Sequence, residues 1–388
     1  MIAQEKTEPI ADARLETGID VLEAQQFAGL RGKRVGVITN QTGVDGLGRR
    51  TIDVLAKADG VKLVAIFSPE HGIAAIADAV VANATDSATG LAIYSLYGET
   101  RRPTDAMLQG IDALVFDVQD VGVRFYTYVT TMAYCMEEAA KHHITFSVFD
   151  RPNPLGGEII EGPMLDADKL SFVGYFPMPV RYAMTMGELA KMFNAENKIG
   201  ADLRIVEMRN WRRNEMYRRT GLPWIAPSPN LPTLANLAPY PGIEILQAGG
   251  VSVGRGTDSA FLEFGAPWIK PQELLAELKQ RSIAGITFEA KIFDPKTGPY
   301  AGEKCGGVGL TVTAPDGFRS MLMGLQIAEA LHKLYPQQFQ ISKMITLLGS
   351  QSTVERLERG DDPKAIEAGW DDELGKFRVT RAKYLIYH

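Results

Sequence analysis

Glu70 and His71 stand side by side in Ser68-Pro69-Glu70-His71-Gly72, directly after the apolar run 62–67. A carboxyl at the end of a buried strand is partly desolvated, which raises its pKa and suits it to donating a proton. His71 would orient that group or touch a substrate. Asp117-Val118-Gln119-Asp120 follows the run 112–116 and offers two carboxylates three residues apart. In a helical turn such residues share a side. Arg124, Tyr126 and Tyr128 come next, and a pairing of Arg124 with Asp117 or Asp120 would hold that carboxylate ionised. One ionised carboxylate near a protonated one is what cleavage of a glycosidic bond requires. The plainer readings are an Asp–Arg pair that fixes a loop, and a Glu70 that caps a turn.

A third motif, Asp150-Arg151-Pro152-Asn153-Pro154, follows the run 145–149. Its two prolines stiffen the chain and would present Asp150, Arg151 and Asn153 in fixed directions, suited to sugar hydroxyls. Equally, Asp and Asn there would bond their own backbone in a rigid turn. Asn40, in Thr39-Asn40-Gln41-Thr42-Gly43 after the run 34–38, and Asn230, in Pro227-Ser228-Pro229-Asn230, carry the same two readings. The Gly-rich segment 249–258 would bring backbone close to a ligand, with Arg255 and Asp258 pointing inward, or be an ordinary loop. It lacks phosphate-loop spacing, and no Gly-x-Gly-x-x-Gly follows the first strand, so no dinucleotide or other cofactor is expected.

Of five histidines only His71 ends a strand-like run, and no His-x-x-x-His pair occurs. A magnesium site made of Asp117, Asp120 and Glu70 is the one metal arrangement left open, and no metal is expected. Cys135 and Cys305 are isolated, which gives neither a disulfide framework nor a zinc site. No Gly-x-Ser-x-Gly nucleophile elbow is present.

These motifs need a scaffold, and the pattern around them supplies one. Four apolar runs alternate with amphipathic stretches between residues 18 and 160, the signature of a parallel sheet with crossover helices. In such sheets ligands bind beyond the carboxyl ends of the strands. The spacing predicts helices over 48–57, 128–143 and, after a Thr185–Glu188 capping box, 188–197, with a strand over 203–208. The Pro-rich stretch 223–241 is excluded from helix interiors and central strands, and is expected along the rim of the site. After residue 268 come a short helix 272–281 and alternating strands 286–293 and 308–312. A long helix capped by Asp316 and a strand-like 384–387 complete the pattern. The expected fold is α/β, a parallel sheet followed by a smaller C-terminal α+β unit. The division is a polar tail 1–17, a catalytic domain 18–269 and an auxiliary domain 270–388.

The net charge of −6 over 388 residues gives no electrostatic reason to expect nucleic acid or an anionic membrane as partner. No apolar stretch reaches the roughly 18 residues of a membrane span. The opening residues lack a basic and then apolar build-up, so no secretion signal is visible. Oligomeric state is not readable from the chain.

Taken in order, the motifs resemble the bacterial exo-acting β-N-acetylmuramidases, long catalogued as a domain of unknown function. The resemblance rests on 18–22, 37–43, 67–73, 94–98, 101–104, 116–128, 150–154 and 161–163. It continues with 227–230, 254–257, 265–268 and the Tyr-Leu-Ile-Tyr end, so it runs from about residue 18 onward. It implies a Rossmann-like larger domain, a cleft against the smaller one, and release of terminal non-reducing N-acetylmuramic acid from peptidoglycan fragments. It implies Glu70 as the leading catalytic residue, and a periplasmic or secreted protein rather than a cytoplasmic one. In the resulting scheme Glu70 is general acid, aided by His71. Asp120 or Asp117 steadies the transition state, as nucleophile or as base for water. Asn40, Arg124, Tyr126, Asp150, Asn153, Asn230 and Arg255 hold the sugar. Two departures stand out: Ala74-Ala75 replace the family's Arg-Gly, and Gly249-Gly250 replace a Thr-Asn pair. They motivate a rival reading as a muropeptide-binding protein without turnover. A metal-dependent hydrolase of another substrate is the third.

Overall fold

The computed structural model describes residues 14–74 and 81–388. Most of the expected tail, and Ala75 of the first departure, lie outside the described residues. Leu15 and Thr17 are buried, and Glu16 exchanges two backbone hydrogen bonds with Arg209, so the chain is already anchored there.

In chain order the strands are β1 (Arg34–Thr39), β2 (Lys62–Ser68), β3 (Ala84–Thr85), β4 (Ala92–Ser95), β5 (Ala113–Asp117) and β6 (Thr145–Phe149). They continue with β7 (Glu161–Met164), β8 (Pro179–Arg181), β9 (Leu203–Val206), β10 (Glu263–Ala266), β11 (Ile286–Phe293) and β12 (Cys305–Val312). The main sheet runs β3-β4-β2-β1-β5-β6-β9. Every pairing in it is parallel except β3 with β4. β5 and β6 are buried throughout, as are the last five residues of β1. This is why they read as unbroken apolar runs: both sheet faces are covered. The helix Tyr128–Lys141 buries ten of its residues, Met132, Cys135, Met136 and Ala139 among them. The helix Met186–Glu196 starts on the expected box, with Glu188 Oε2 accepting from the Thr185 amide at 3.0 Å.

A second sheet, β10-β12-β11, is antiparallel. It already takes in β10, upstream of residue 270. The helices Tyr240–Ala248 and Ser320–Leu334 cross at two glycines. A Cβ on Gly242 would lie 1.9 Å from the Ser320 carbonyl oxygen, and one on Gly324 would lie 2.4 Å from that of Gly242.

Two buried side chains bind the halves together. The Glu161 carboxylate accepts from the amides of Met321 (2.8 Å) and Leu322 (3.2 Å) at the start of the helix Ser320–Leu334. It is held there by Arg181 at 2.9 Å. A carboxylate satisfying orphan amides at a helix start is doubly favoured, by hydrogen bonding and by the helix dipole. Arg124 is the second, described with the site.

Three local expectations fail, each for a physical reason. Asp316 does not cap the long helix, because it pairs with Arg218 and Arg219 and leaves that end to Glu161. Residues 384–387 form no strand; Tyr387 is instead fixed by its side chain, donating to Asp150 Oδ2 (2.7 Å) and accepting from the Met208 amide (2.9 Å). The Pro-rich stretch does contain a helix, Tyr240–Ala248, because Pro241 falls in its first turn, where a missing N–H costs nothing.

Candidate active site

Beyond β2 the chain turns back sharply. His71 (φ 71°) and Gly72 (φ 75°) both adopt the left-handed conformation, and the Gly72 amide closes the turn on the Pro69 carbonyl at 3.0 Å. A non-glycine residue there costs about 1 kcal/mol or more, so the surroundings impose the shape. The turn leaves Glu70 half-buried, with its Oε2 accepting from the Thr127 hydroxyl. Thr127 immediately precedes the helix Tyr128–Lys141. Two elements from different strands thus set the direction of one carboxylate.

Around it lies a cavity of about 370 Å³. The first half of the chain contributes Glu70, His71, Phe125, Tyr126, Thr127 and Val173 to its lining. The Pro-rich segment adds Ser228 and Leu231. The second half adds Tyr240, Glu244, Gln247, Arg255, Phe261, Thr297 and Leu347. One wall is aromatic. Tyr126 meets Tyr128 edge-on at 4.7 Å between centroids, and Tyr240 meets Phe261 at 4.7 Å and Phe125 at 5.7 Å. Burial holds the Tyr126, Tyr128 and Tyr240 phenols above their ordinary pKa. All three are neutral near neutral pH, and Tyr126 and Tyr240, which line the cavity, can donate hydrogen bonds to a sugar, whereas Tyr128 donates to the Pro227 carbonyl at 2.6 Å.

Asp120 stands behind this wall and does not line the cavity. It is buried, and its Oδ2 accepts from the Gly122 amide (2.7 Å) and the Tyr182 hydroxyl. Its Oδ1 has no hydrogen-bond partner among the described residues. Burial pushes its pKa up to about 6, against the hydrogen bonds, which pull it down. The charges of Glu70 and Asp120 both act on Tyr128 and Tyr240, which places the two carboxylates around the same rings.

Arg255 reaches the cavity between Gly254 (φ 74°) and Gly256 (φ 75°). At Gly254 a side chain would also strike Glu263, 2.7 Å away. The Arg255 guanidinium bonds Glu244 at 2.6 Å and Gln247 at 2.8 Å. Asn230 accepts from the Gly256 amide at 3.1 Å and so supports this loop. Asp258 is exposed and stays outside the cavity.

The remaining residues expected at the site are structural in their contacts. Arg124 pairs with neither Asp117 nor Asp120. It is buried and donates to four carbonyls: Pro163 (3.0 Å), Met178 (2.7 Å), Leu347 (2.8 Å) and Leu348 (2.7 Å). Burial lowers its pKa to about 9, only partly offset by the charge of Asp166. Asp117 is fully buried against Arg151 (2.6 Å) and Thr51. Asp150 accepts from Thr185, the Gly187 amide and Tyr387. Asn153 bonds the Leu155 amide and the Met184 carbonyl, and Asn40 bonds Thr42 and Tyr128. None of these lines the cavity. With Asp117 locked by Arg151, the carboxylate-only magnesium arrangement has lost a member. Among the described residues no group of three His, Cys, Asp or Glu side chains is placed to hold a metal ion.

Sequence reasoning missed Thr127, Tyr240, Glu244 and Gln247. The last three share one face of a helix at i, i+4 and i+7, a signal hidden by the surrounding prolines. A separate cavity of about 260 Å³ lies elsewhere, lined by Leu155, Met216, Leu237, Leu262 and Val312, with Arg218 its only charged side chain. It holds nothing that can move a proton.

A carboxylate presented at the end of a parallel strand, inside an aromatic-walled cleft lined from both halves of the chain, fits a sugar-cleaving hydrolase. Two family models agree with that class. Exo-beta-N-acetylmuramidase NamZ, N-terminal, matches residues 35–235, and its C-terminal counterpart matches 238–387. The chain belongs to the NamZ exo-β-N-acetylmuramidase family. It is 42% identical to the peptidoglycan beta-N-acetylmuramidase NamZ of Bacillus subtilis (strain 168), over 98% of this chain and 94% of that protein. Two crystal structures of DUF1343 family proteins from Bacteroides fragilis NCTC 9343 share the fold. The first has TM-score 0.89 and 36% identity, the second 0.79 and 31%, each covering 97% of this chain and 99% of the other.

Proposed function

We infer that this chain is an exo-acting glycoside hydrolase that releases terminal non-reducing β-N-acetylmuramic acid from peptidoglycan fragments. The observation that carries the reading is the Glu70 carboxylate, aimed by the left-handed turn at His71 and by the Thr127 hydroxyl into a polar, aromatic-walled cleft of about 370 Å³.

In this reading Glu70 protonates the leaving oxygen as general acid. Thr127 is its positioning partner and His71 fixes the turn that carries it. Tyr126, Tyr240, Gln247 and the Arg255–Glu244 pair supply donors and acceptors for hydroxyl and acetamido groups. Asp120, ionised above about pH 6, is the negative charge that offsets the positive oxocarbenium-like transition state from behind the tyrosines. The roles first given to Asp117, Arg124, Asp150, Asn153 and Asn40 become those of a frame beneath the cleft. Peptidoglycan fragments arise outside the cytoplasmic membrane, so a periplasmic or secreted setting belongs to the same proposal.

The test is chromophore release from para-nitrophenyl β-N-acetylmuramic acid by the native protein and by Glu70→Gln. Loss of a general acid costs about 10²–10⁴-fold. Turnover by the native protein and a loss of that size in the variant support the reading. Native protein that binds the sugar without turnover would replace it with the muropeptide-binding alternative.

A further inference from the structure

N-acetylmuramic acid differs from the other sugar of peptidoglycan by an acidic arm at O3. The cation inside the cleft is already engaged: Arg255 is bonded to Glu244 and Gln247. A different arginine rests on a ring whose chain neighbour lines the cleft.

β2 and β4 are parallel neighbours with Ser68 opposite Ser95. Beyond the strands, the Val81 amide bonds the Tyr97 carbonyl at 3.1 Å, and a Cβ on Gly72 would lie 3.0 Å from Val81, so Val81 links Tyr97 to the turn that carries Glu70. The Tyr97 ring stacks on Phe172 at 6.0 Å and 30°. The next residue after Phe172, Val173, lines the cleft. Arg101 is exposed and rests on this pair, its guanidinium 4.1 Å from the Phe172 centroid and 5.6 Å from that of Tyr97. Two rings thereby orient a cation against a segment whose next residue lines the cleft.

Its neighbour shows what a purely structural arginine does in the same cluster. Arg102 lies 3.7 Å over the Tyr134 ring and is neutralised by Glu137 at 2.6 Å and Glu138 at 3.0 Å. Arg101 has no carboxylate within ion-pair distance among the described residues. Its planar fork is free to take a carboxylate in bidentate fashion.

We propose that Arg101, seated on Phe172 beside Tyr97, is the recognition site for the carboxylate on the O3 arm of the substrate. This rests on the glycosidase reading above. The carboxylate has two possible sources, the lactyl group itself or a peptide attached to it, and the chemistry at Arg101 is the same.

The experiment compares native protein, Arg101→Ala and Arg101→Lys on three chromogenic β-muramosides. One has a free lactyl acid, one a lactyl methylamide, and one a lactyl-alanyl-isoglutamate arm. Arg101→Ala is expected to raise KM by about 10- to 100-fold on the substrate whose carboxylate it reads, with kcat nearly unchanged. The methylamide should be indifferent. Arg101→Lys, which keeps the charge but not the fork, should fall between. An effect confined to the free acid identifies the lactyl group as the source, and one confined to the peptide arm identifies the stem. Equal effects on all three substrates, or none, overturn the proposal, since a structural role would not distinguish them. If the native protein turns over none of the three, the enzymatic reading fails by itself. Calorimetric binding of N-acetylmuramic acid and muramyl dipeptide to the native protein and Arg101→Ala then decides the site, and equal affinities overturn it.

Discussion

Replacing Asp120 by Asn should make the protein more stable and less active, and the pH dependence of the gain is fixed by the structure. Asp120 is buried, with its folded pKa raised from 3.8 to about 6. Below pH 3.8 the carboxyl is protonated in both folded and unfolded chains, so the shift contributes nothing. Between about pH 4 and 6 the unfolded chain loses its proton while the folded one keeps it, and stability falls as pH rises. Above about pH 6 the native state carries the whole penalty. A shift of roughly two units corresponds to about 3 kcal/mol. An amide is nearly isosteric, its oxygen can accept from Tyr182 and Gly122 as Oδ2 does, and it carries no charge. The variant should therefore gain up to about 3 kcal/mol at pH 7.5, less at pH 5, and nothing near pH 3.5. Urea unfolding of both proteins across that range measures it. A loss of stability at pH 7.5, or a difference that ignores pH, would refute the reasoning. The same substitution should lower kcat, because a neutral group no longer offsets the positive transition state. A stabilised but slowed variant separates a functional charge from a structural one.

Thr127→Val removes the hydroxyl that aims Glu70 and should lower kcat by about 10- to 100-fold. Its unfolding midpoint should stay close to native; an unchanged kcat would sink the positioning role. Arg124→Met leaves four carbonyls without their donor, and a cost of about 3–5 kcal/mol is expected by denaturant titration. A cost below about 1 kcal/mol would show that those carbonyls find other partners. Gly242→Ala drives a methyl into the Ser320 carbonyl and should cost about 3 kcal/mol or more, seen as a lowered melting temperature. Normal stability there would mean that the helix crossing relaxes freely.

The sheet was legible because its central strands are buried on both faces, so β1, β5 and β6 stand out as continuous apolar runs. The position of Glu70 in the cleft was legible from its place at the end of β2. The rest of the candidate site was only half legible, because polar residues beyond a strand have two fates. At β5 and β6 they turn into the scaffold: Asp117 meets Arg151, and Asp150 meets Thr185 and Tyr387. At β2 the left-handed turn at His71 sends the side chain into the cleft. Nothing local distinguishes these fates, since the deciding partners lie 34 to 237 residues away. Arg124 is the extreme case: its partners are backbone carbonyls, which leave no trace in residue type. The face of Tyr240, Glu244 and Gln247 was present in the spacing but obscured by Pro239 and Pro241, one of which starts the helix rather than breaking it.

The Glu161 clamp bears on how the molecule comes apart. The two family models meet between residues 235 and 238, and buried contacts cross that line. Severing the chain there would strand the Glu161 and Arg181 charges in one fragment, and the uncapped start of the helix Ser320–Leu334 in the other. It would also part Arg124 from Leu347 and Leu348. Neither fragment is therefore expected to fold by itself. Heating should show a single melting event for the intact chain, and a gene split at that line should yield two insoluble halves that recover structure only when refolded together.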